Sequence, residues 1–312
     1  MPNWREVLTE LQGYHASVQR VQVEANQSLD LVRKKYLGLL HKRTGRNIIA
    51  YYSGFLSKPN IAQSEITDED KNGFMMAVHK LDRSKGLDLL LHTPGGSIAA
   101  TESIADYLHR MFNHDMRAIV PQIAMSAGTM MACSCKRIIM AKHSSLGPID
   151  PHLRGVPAVG VVREFKRACS EVKKDPSKIP IWQSIIGQYR PTFLSQCQNA
   201  IRWSREFVGK ELETVMFDGR SDAHALAQKA VGKLTDYARN KAHDRHLHID
   251  ECRDIGLDVL DLETDGELQD LVLTVHHCYM HVFQNTHAYK IIENQDGAAL
   301  IKFAVEKAEN SA

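Results

Sequence analysis

Apolar residues in the first half of the chain come in short continuous runs. Each run is closed by small or turn-forming residues and followed by a stretch with helical spacing. LDLLLHT (87–93) is apolar without alternation, the pattern of a strand buried on both faces, and Pro94-Gly95-Gly96 ends it. SIAATESIADYLHRMF (97–112) repeats apolar positions at three- and four-residue spacing and predicts a helix. MRAIVPQIAM (116–125) predicts the next strand, SAGTMMACSC (126–135) a short helix of small residues, and RIIMA (137–141) a further strand. HSSLGPIDPH (143–152) reads as a turn-rich loop. Upstream, NIIAYYSGFL (47–56) predicts a strand, and ITDEDKNGFMMAVHKL (66–81) a helix with Thr67 at its N-cap.

This β-turn-α repeat points to an α/β fold with parallel strands joined by right-handed crossovers. Residues 3–43 read as mainly helical, and 160–290 as dominated by helical patterns, clearest in RPTFLSQCQNAIRWSREFVGKEL (190–212). There is no internal repeat and no low-complexity linker. The expected organisation is an N-terminal helical extension over 1–45, a core over 46–260 and a C-terminal helical extension over 261–312.

Composition narrows the function classes. Lys plus Arg number 39 against 37 Asp plus Glu, a net charge of +2 in 312 residues, so no one-sided field favours nucleic acid. Six cysteines without Cys-x-x-Cys spacing suggest reduced thiols in a cytoplasmic protein. MPNWREVLTELQGYH lacks a signal-peptide apolar core, and the uncharged run from Ala118 to Cys135 is broken by Pro121, Gln122 and Gly128, so no membrane segment is expected. The chain holds 16 histidines. His277 and His281 have metal-ligand spacing, but no Glu follows His277 and no third ligand stands out. They read as helix-packing residues; no metal and no cofactor are expected.

Two strand ends carry chemistry. Ala124-Met125-Ser126-Ala127-Gly128 sets a serine where a buried strand meets a helix, between small neighbours. A nucleophile elbow needs that turn, and the first N–H groups of the helix face the same way. The competing use of Ser126 is an ordinary N-cap. Thirty residues upstream, His92-Thr93-Pro94-Gly95-Gly96 lets backbone N–H groups approach a ligand without a side chain between. Together the two turns resemble halves of one oxyanion site. A base is also required, and Lys142, His143, His152, Lys178, His224, His243, His246 and His248 are all candidates by type. Spacing does not choose among them.

LLLHTPGGSIAATESIADYL, AIVPQIAMSAGTMMACSC and IIMAKHSSLGPIDP together resemble the serine dehydrogenase proteinase family. These are serine peptidases distantly similar to the Clp protease proteolytic subunit, signal peptide peptidase A and the crotonases. GRNIIAYYSGFL, KAHDRHLHIDECRDIGLDV (241–259) and HAYKIIENQDG (287–297) extend the resemblance over most of residues 45–297. It implies a crotonase/Clp-protease-like core and a serine endopeptidase acting on polypeptide. It also implies a triad of Ser126, Asp150 and His243, with Gly95, Gly96 and Ala127 forming the oxyanion hole. The motif at His243 departs from the family: Ala242 replaces a threonine, and Arg245-His246-Leu247-His248 stands where a short Tyr-Pro segment is usual. His246 is therefore the nearest rival base, with His152 in reserve.

Other readings share parts of this site. A Ser-Lys dyad would use Lys142. A crotonase-like acyl-CoA hydratase or isomerase would use the two N–H groups and need no nucleophilic serine. An α/β-hydrolase esterase has the same Ser, Asp, His order, but thirty residues between the glycine turn and Ser126 are few for that fold. A non-enzymatic scaffold would have little reason to keep Ser126 and both glycines. Related peptidases form closed rings or smaller assemblies, so a homo-oligomer is expected.

Overall fold

The apolar runs become rungs of one sheet, and what joins them positions the site. The computed structural model describes residues 9–10, 25–61, 63–236, 240 and 242–304. Helix α1 (Ala25–Thr44) leads into β1 (Asn47–Ser53), α2 (Asp70–Val78), β2 (Leu87–His92), α3 (Ile98–Phe112) and β3 (Met116–Val120). A two-residue strand β4 (Ile123–Ala124), α4 (Ala127–Cys133), β5 (Arg137–Met140) and β6 (Ser145–Leu146) follow. A hairpin of β7 (His152–Leu153) and β8 (Val156–Pro157) then opens a helical lobe: α5 (Ala158–Lys174), α6 (Ile179–Ile186), α7 (Phe193–Glu211) and α8 (Ala223–Leu234). The chain returns through α9 (Ile249–Ile255) to β9 (Val259–Asp261), α10 (Gly266–Asn285), β10 (Ala288–Asn294) and β11 (Ala299–Phe303).

Seven strands form the main sheet in the order β11-β10-β1-β2-β3-β5-β9. Strands β1, β2, β3, β5 and β9 run parallel, as the crossovers predict, while β10 pairs antiparallel with β1 and β11 antiparallel with β10 at one side. Because side chains alternate, β2 sends Leu87, Leu89 and Leu91 to one apolar layer and Leu90 to the other. The first layer packs Phe74 of α2, Ile104 of α3 and Met130 of α4; the second packs Leu37 of α1 and Tyr279 of α10.

Three expectations are corrected. The run 116–125 is two strands, because Pro121 between them cannot donate to the ladder. The loop 143–152 contains β6 and delivers the first residue of β7. The C-terminal extension is not purely helical: after α10 the chain adds β10 directly against β1, so the sheet continues past the expected boundary at 260. Lys290 and Glu293 made that strand hard to read, yet both are buried. Lys290 Nζ lies 2.9 Å from Asp70 Oδ2, and Glu293 pairs with the buried Arg33. Of the expected N-terminal helix, 25–44 is helical, while 3–8 and 11–24 lie outside the described residues. No helix among the described residues is long and apolar enough to cross a membrane.

Candidate active site

Beyond the main sheet the chain builds a second, smaller layer. Thr93 bridges Ala124, β4 pairs with β6, and Leu146 bridges Leu247. These rungs stand about 4.8 Å apart by strand geometry. Gly96 lies three residues after the first rung, Ser126 two after the second, and Asp150 four after the third. His243 lies four residues before the last. Four segments far apart in sequence are thus brought to one place by backbone pairing.

Ser126 joins β4 to α4 with φ 51° and ψ −113°, a backbone conformation that a residue with a Cβ seldom adopts. Holding it costs about 1–3 kcal/mol, and such strain gathers at functional turns. The competing N-cap use is not made: Ser126 gives the helix no side-chain cap bond. Gly95 passes so close that a Cβ there would stand 2.8 Å from Ser126 Cβ and 2.7 Å from Met125 O.

Thr129 was not singled out in the sequence, yet its hydroxyl locks the turn. Oγ1 lies 2.9 Å from the carbonyls of Ala124 and Gly147, and it accepts the Gly147 N–H at 2.9 Å. The elbow is thereby tied to the segment that carries Asp150. Thr129→Val keeps the shape and strands buried backbone groups, so it should lower stability by about 1–3 kcal/mol in chemical denaturation. An unchanged midpoint would remove Thr129 from this role.

The glycine turn divides its labour. Ile66 N–H donates to Gly95 O at 2.7 Å, and Ser97 N–H donates to Ile66 O at 3.0 Å. Between them, the Gly96 N–H has no acceptor among the described residues. Gly96 has φ 152°, and a Cβ there would sit 2.3 Å from Ile66 N. The Gly95 N–H, by contrast, is held by Thr93 Oγ1 at 3.2 Å. Of the two glycines expected at the oxyanion hole, Gly95 thus has its N–H engaged and leaves room beside Ser126. Ala127 supplies the first N–H of α4, which helix geometry leaves without an intrahelical acceptor.

Asp150 is buried and meets two imidazoles. His243 Nδ1 lies 3.1 Å from Asp150 Oδ1, and His152 Nε2 lies 3.7 Å from Oδ2. The two rings lie 4.0 Å apart between centroids. Burial pushes the Asp150 carboxyl up, but the His152 and His243 imidazoles outweigh it and hold it at about 2. His243 and His152 line a cavity of about 690 Å³ together with Ser126, Gly96, Met130 and Trp203. With Nδ1 turned to Asp150, His243 has Nε2 as its other ring nitrogen.

The remaining candidates are placed elsewhere. Lys142 is exposed, its N–H donates to Glu263 Oε1 at 2.9 Å, and it does not line the cavity. His246 Nδ1 lies 2.7 Å from Ser145 Oγ, also outside the cavity lining. His143 Nε2 meets Pro121 O at 3.0 Å, His248 Nδ1 meets Ser144 O at 3.2 Å, and His224 pairs with Glu213. Lys178 pairs with Glu171 in the helical lobe. His277 and His281 lie along α10, and no third ligand joins them among the described residues.

The model of the ClpP-like SDH-type serine proteinases matches residues 22–289. The chain is also 26% identical over 297 residues to uncharacterized protein MJ0137 of Methanocaldococcus jannaschii, covering 88% of this chain and 91% of that protein. It is 28% identical over 194 residues to uncharacterized protein MJ1495 of the same organism, covering 62% and 59%. The match over residues 22–289 takes in the strained serine turn, both glycines, Asp150 and His243, and the chain belongs to the family of ClpP-like SDH-type serine proteinases.

Proposed function

We propose that this protein is a serine endopeptidase that cleaves polypeptides with Ser126 as nucleophile, His243 as general base and Asp150 as the group that orients it. The observation that carries the reading is the strained Ser126 turn opening on the cavity that His243 lines, with Asp150 on His243 Nδ1. Family membership supports a serine peptidase in general. In this reading His243 donates Nδ1–H to Asp150 and keeps the Nε2 lone pair for the Ser126 proton. Ser126 Oγ then attacks the scissile carbonyl carbon, and its proton passes to Nε2. The developing oxyanion accepts the N–H groups of Gly96 and Ala127, which are already fixed and need no reorganisation. The imidazolium returns the proton to the leaving amine, which leaves an acyl ester on Ser126. Water, deprotonated by His243, hydrolyses that ester and restores the hydroxyl. Asp150 stays ionised through neutral pH and stabilises the cationic ring in both halves. Homo-oligomerisation belongs to the same reading and rests on the sequence resemblance.

A fluorophosphonate probe with peptide mapping tests the assignment. Ser126 should be the labelled residue. His243→Ala should slow labelling by about 10²- to 10⁴-fold, the usual share of a general base. His246→Ala and Lys142→Ala should label at the wild-type rate. Loss of labelling in Lys142→Ala alone would move the base to a Ser-Lys dyad. Acyl-CoA turnover unaffected by Ser126→Ala would replace the peptidase reading with a hydratase or isomerase.

A further inference from the structure

Asp150 gathers two imidazoles where a peptidase triad uses one. The His243 contact at 3.1 Å is on Oδ1, and the His152 contact at 3.7 Å is on Oδ2. Asp150, His152 and His243 each place a ligating atom within 4.8 Å of the other two, the one such group of three among the described residues. A tetrahedral zinc ion with ligands at its usual bond lengths keeps donor atoms about 3.4 Å apart. The two imidazoles approach that separation on different carboxylate oxygens, Oδ1 and Oδ2, and the three ligating atoms, within 4.8 Å of one another, draw together around the ion.

His152 is held by a built element. It begins the β7–β8 hairpin, whose two turn residues Arg154 and Gly155 both have positive φ, 56° and 77°. The Ala158 N–H donates to Pro151 O at 3.0 Å and closes the base of that hairpin. The carboxylate is buried and its two oxygens face these two rings. Both imidazoles also line the cavity of about 690 Å³, which gives room for water as a fourth ligand.

We propose that Asp150, His152 and His243 bind a zinc-class divalent cation, and that its binding switches hydrolysis off; the switch rests on the reading of His243 as the base. Two imidazole nitrogens and one carboxylate oxygen suit zinc, cobalt or nickel rather than magnesium or calcium. In the free enzyme the His243 proton sits on Nδ1 and the lone pair on Nε2. A cation on Nδ1 takes the lone pair there, so the ring proton moves to Nε2. The ring keeps its one proton, but Nε2 has become a donor and can no longer accept from Ser126. His152 binds through Nε2 and carries its proton on Nδ1. Asp150 exchanges its hydrogen bond to His243 for a bond to the metal.

Cobalt is the probe, because tetrahedral Co²⁺ absorbs in the visible and zinc displaces it. Wild type and Ser126→Ala should both bind one Co²⁺ per chain with the same affinity. His152→Ala, and His152→Gln as a variant that keeps the bulk, should weaken binding by more than about tenfold. In wild type, Zn²⁺ should block fluorophosphonate labelling with a midpoint matching its displacement of cobalt. No binding to wild type, or equal binding to the His152 variants, would overturn the site. Binding that leaves labelling untouched would overturn the switch. If wild type labels no better than Ser126→Ala, the peptidase reading fails, and the cobalt titration still decides the metal site.

Discussion

With Ser126 as the proposed nucleophile, Ser126→Ala should lower kcat for peptide hydrolysis on the order of 10⁶-fold, the loss that triad hydrolases suffer without their nucleophile. The substitution removes only Oγ. Its Cβ keeps the φ 51°, ψ −113° turn as strained as before, and the Gly96 and Ala127 donors stay where they are. A residual acceleration of roughly 10³- to 10⁴-fold over water should therefore survive, with little change in KM. Asp150→Asn should cost about 10⁴-fold, because the amide favours the wrong imidazole tautomer. That ranking separates a triad from a Ser-Lys pair, in which Asp150→Asn would matter little. A fluorogenic peptide assay on folded variants decides it. Activity of Ser126→Ala within tenfold of wild type would remove Ser126 from the reaction. Ser126→Gly should be as inactive yet more stable than Ser126→Ala. It releases about 1–3 kcal/mol of backbone strain and adds about 0.5–1 kcal/mol of chain entropy.

Acid should destabilise the protein through the opposite face of β2. His92 is fully buried against Tyr52, Phe55 and His276, and neither of its ring nitrogens has a hydrogen-bond partner among the described residues. Burial pushes its pKa down to about 3. His276 is pushed down too, by burial first and then by His92, His277 and His143. In the unfolded chain a histidine titrates near about 6.5. The folded value is the lower one, so the unfolded chain takes up protons first. The stability held by neutral His92 is complete above about pH 6.5 and drains away as pH falls toward about 3. Between pH 7 and pH 5 the loss from His92 is about 2 kcal/mol, enough to lower Tm by several degrees. His92→Phe keeps an aromatic ring without a titrating group and should flatten the Tm profile over that interval. An equal slope in wild type and variant would sink the explanation.

Strands β2, β3 and β5 were legible because their apolar runs are continuous and their terminators strong. The elbow was legible too, since small residues around Ser126 leave a simple signature. Strand β10 was not legible. Lys290 and Glu293 interrupt its apolar pattern, and what makes them tolerable, Asp70 and Arg33, lies more than 200 residues away. The choice between His243 and His246 was equally hidden. They are three residues apart, and only the pairing of Leu247 with Leu146 decides where each ring goes. His246 is taken by Ser145, whereas His243 meets Asp150. Thr129 gave no signal, because a threonine in a small-residue helix looks like any other packing residue until the backbone on both sides of it is known.

The helical lobe at 158–234 is an excursion between two rungs of the small sheet. Leu146 precedes it, Leu247 follows it, and the pairing of the two closes the circuit regardless of what lies between. The lobe has a small apolar cluster of its own around Val161, Phe193 and Cys197, and it lends Ala200 and Trp203 to the cavity wall. The groups assigned to bond breaking all lie outside it. A change in the length or identity of this excursion would therefore reshape the cavity wall at Ala200 and Trp203 while the backbone pairing that holds Ser126, Asp150 and His243 stays closed.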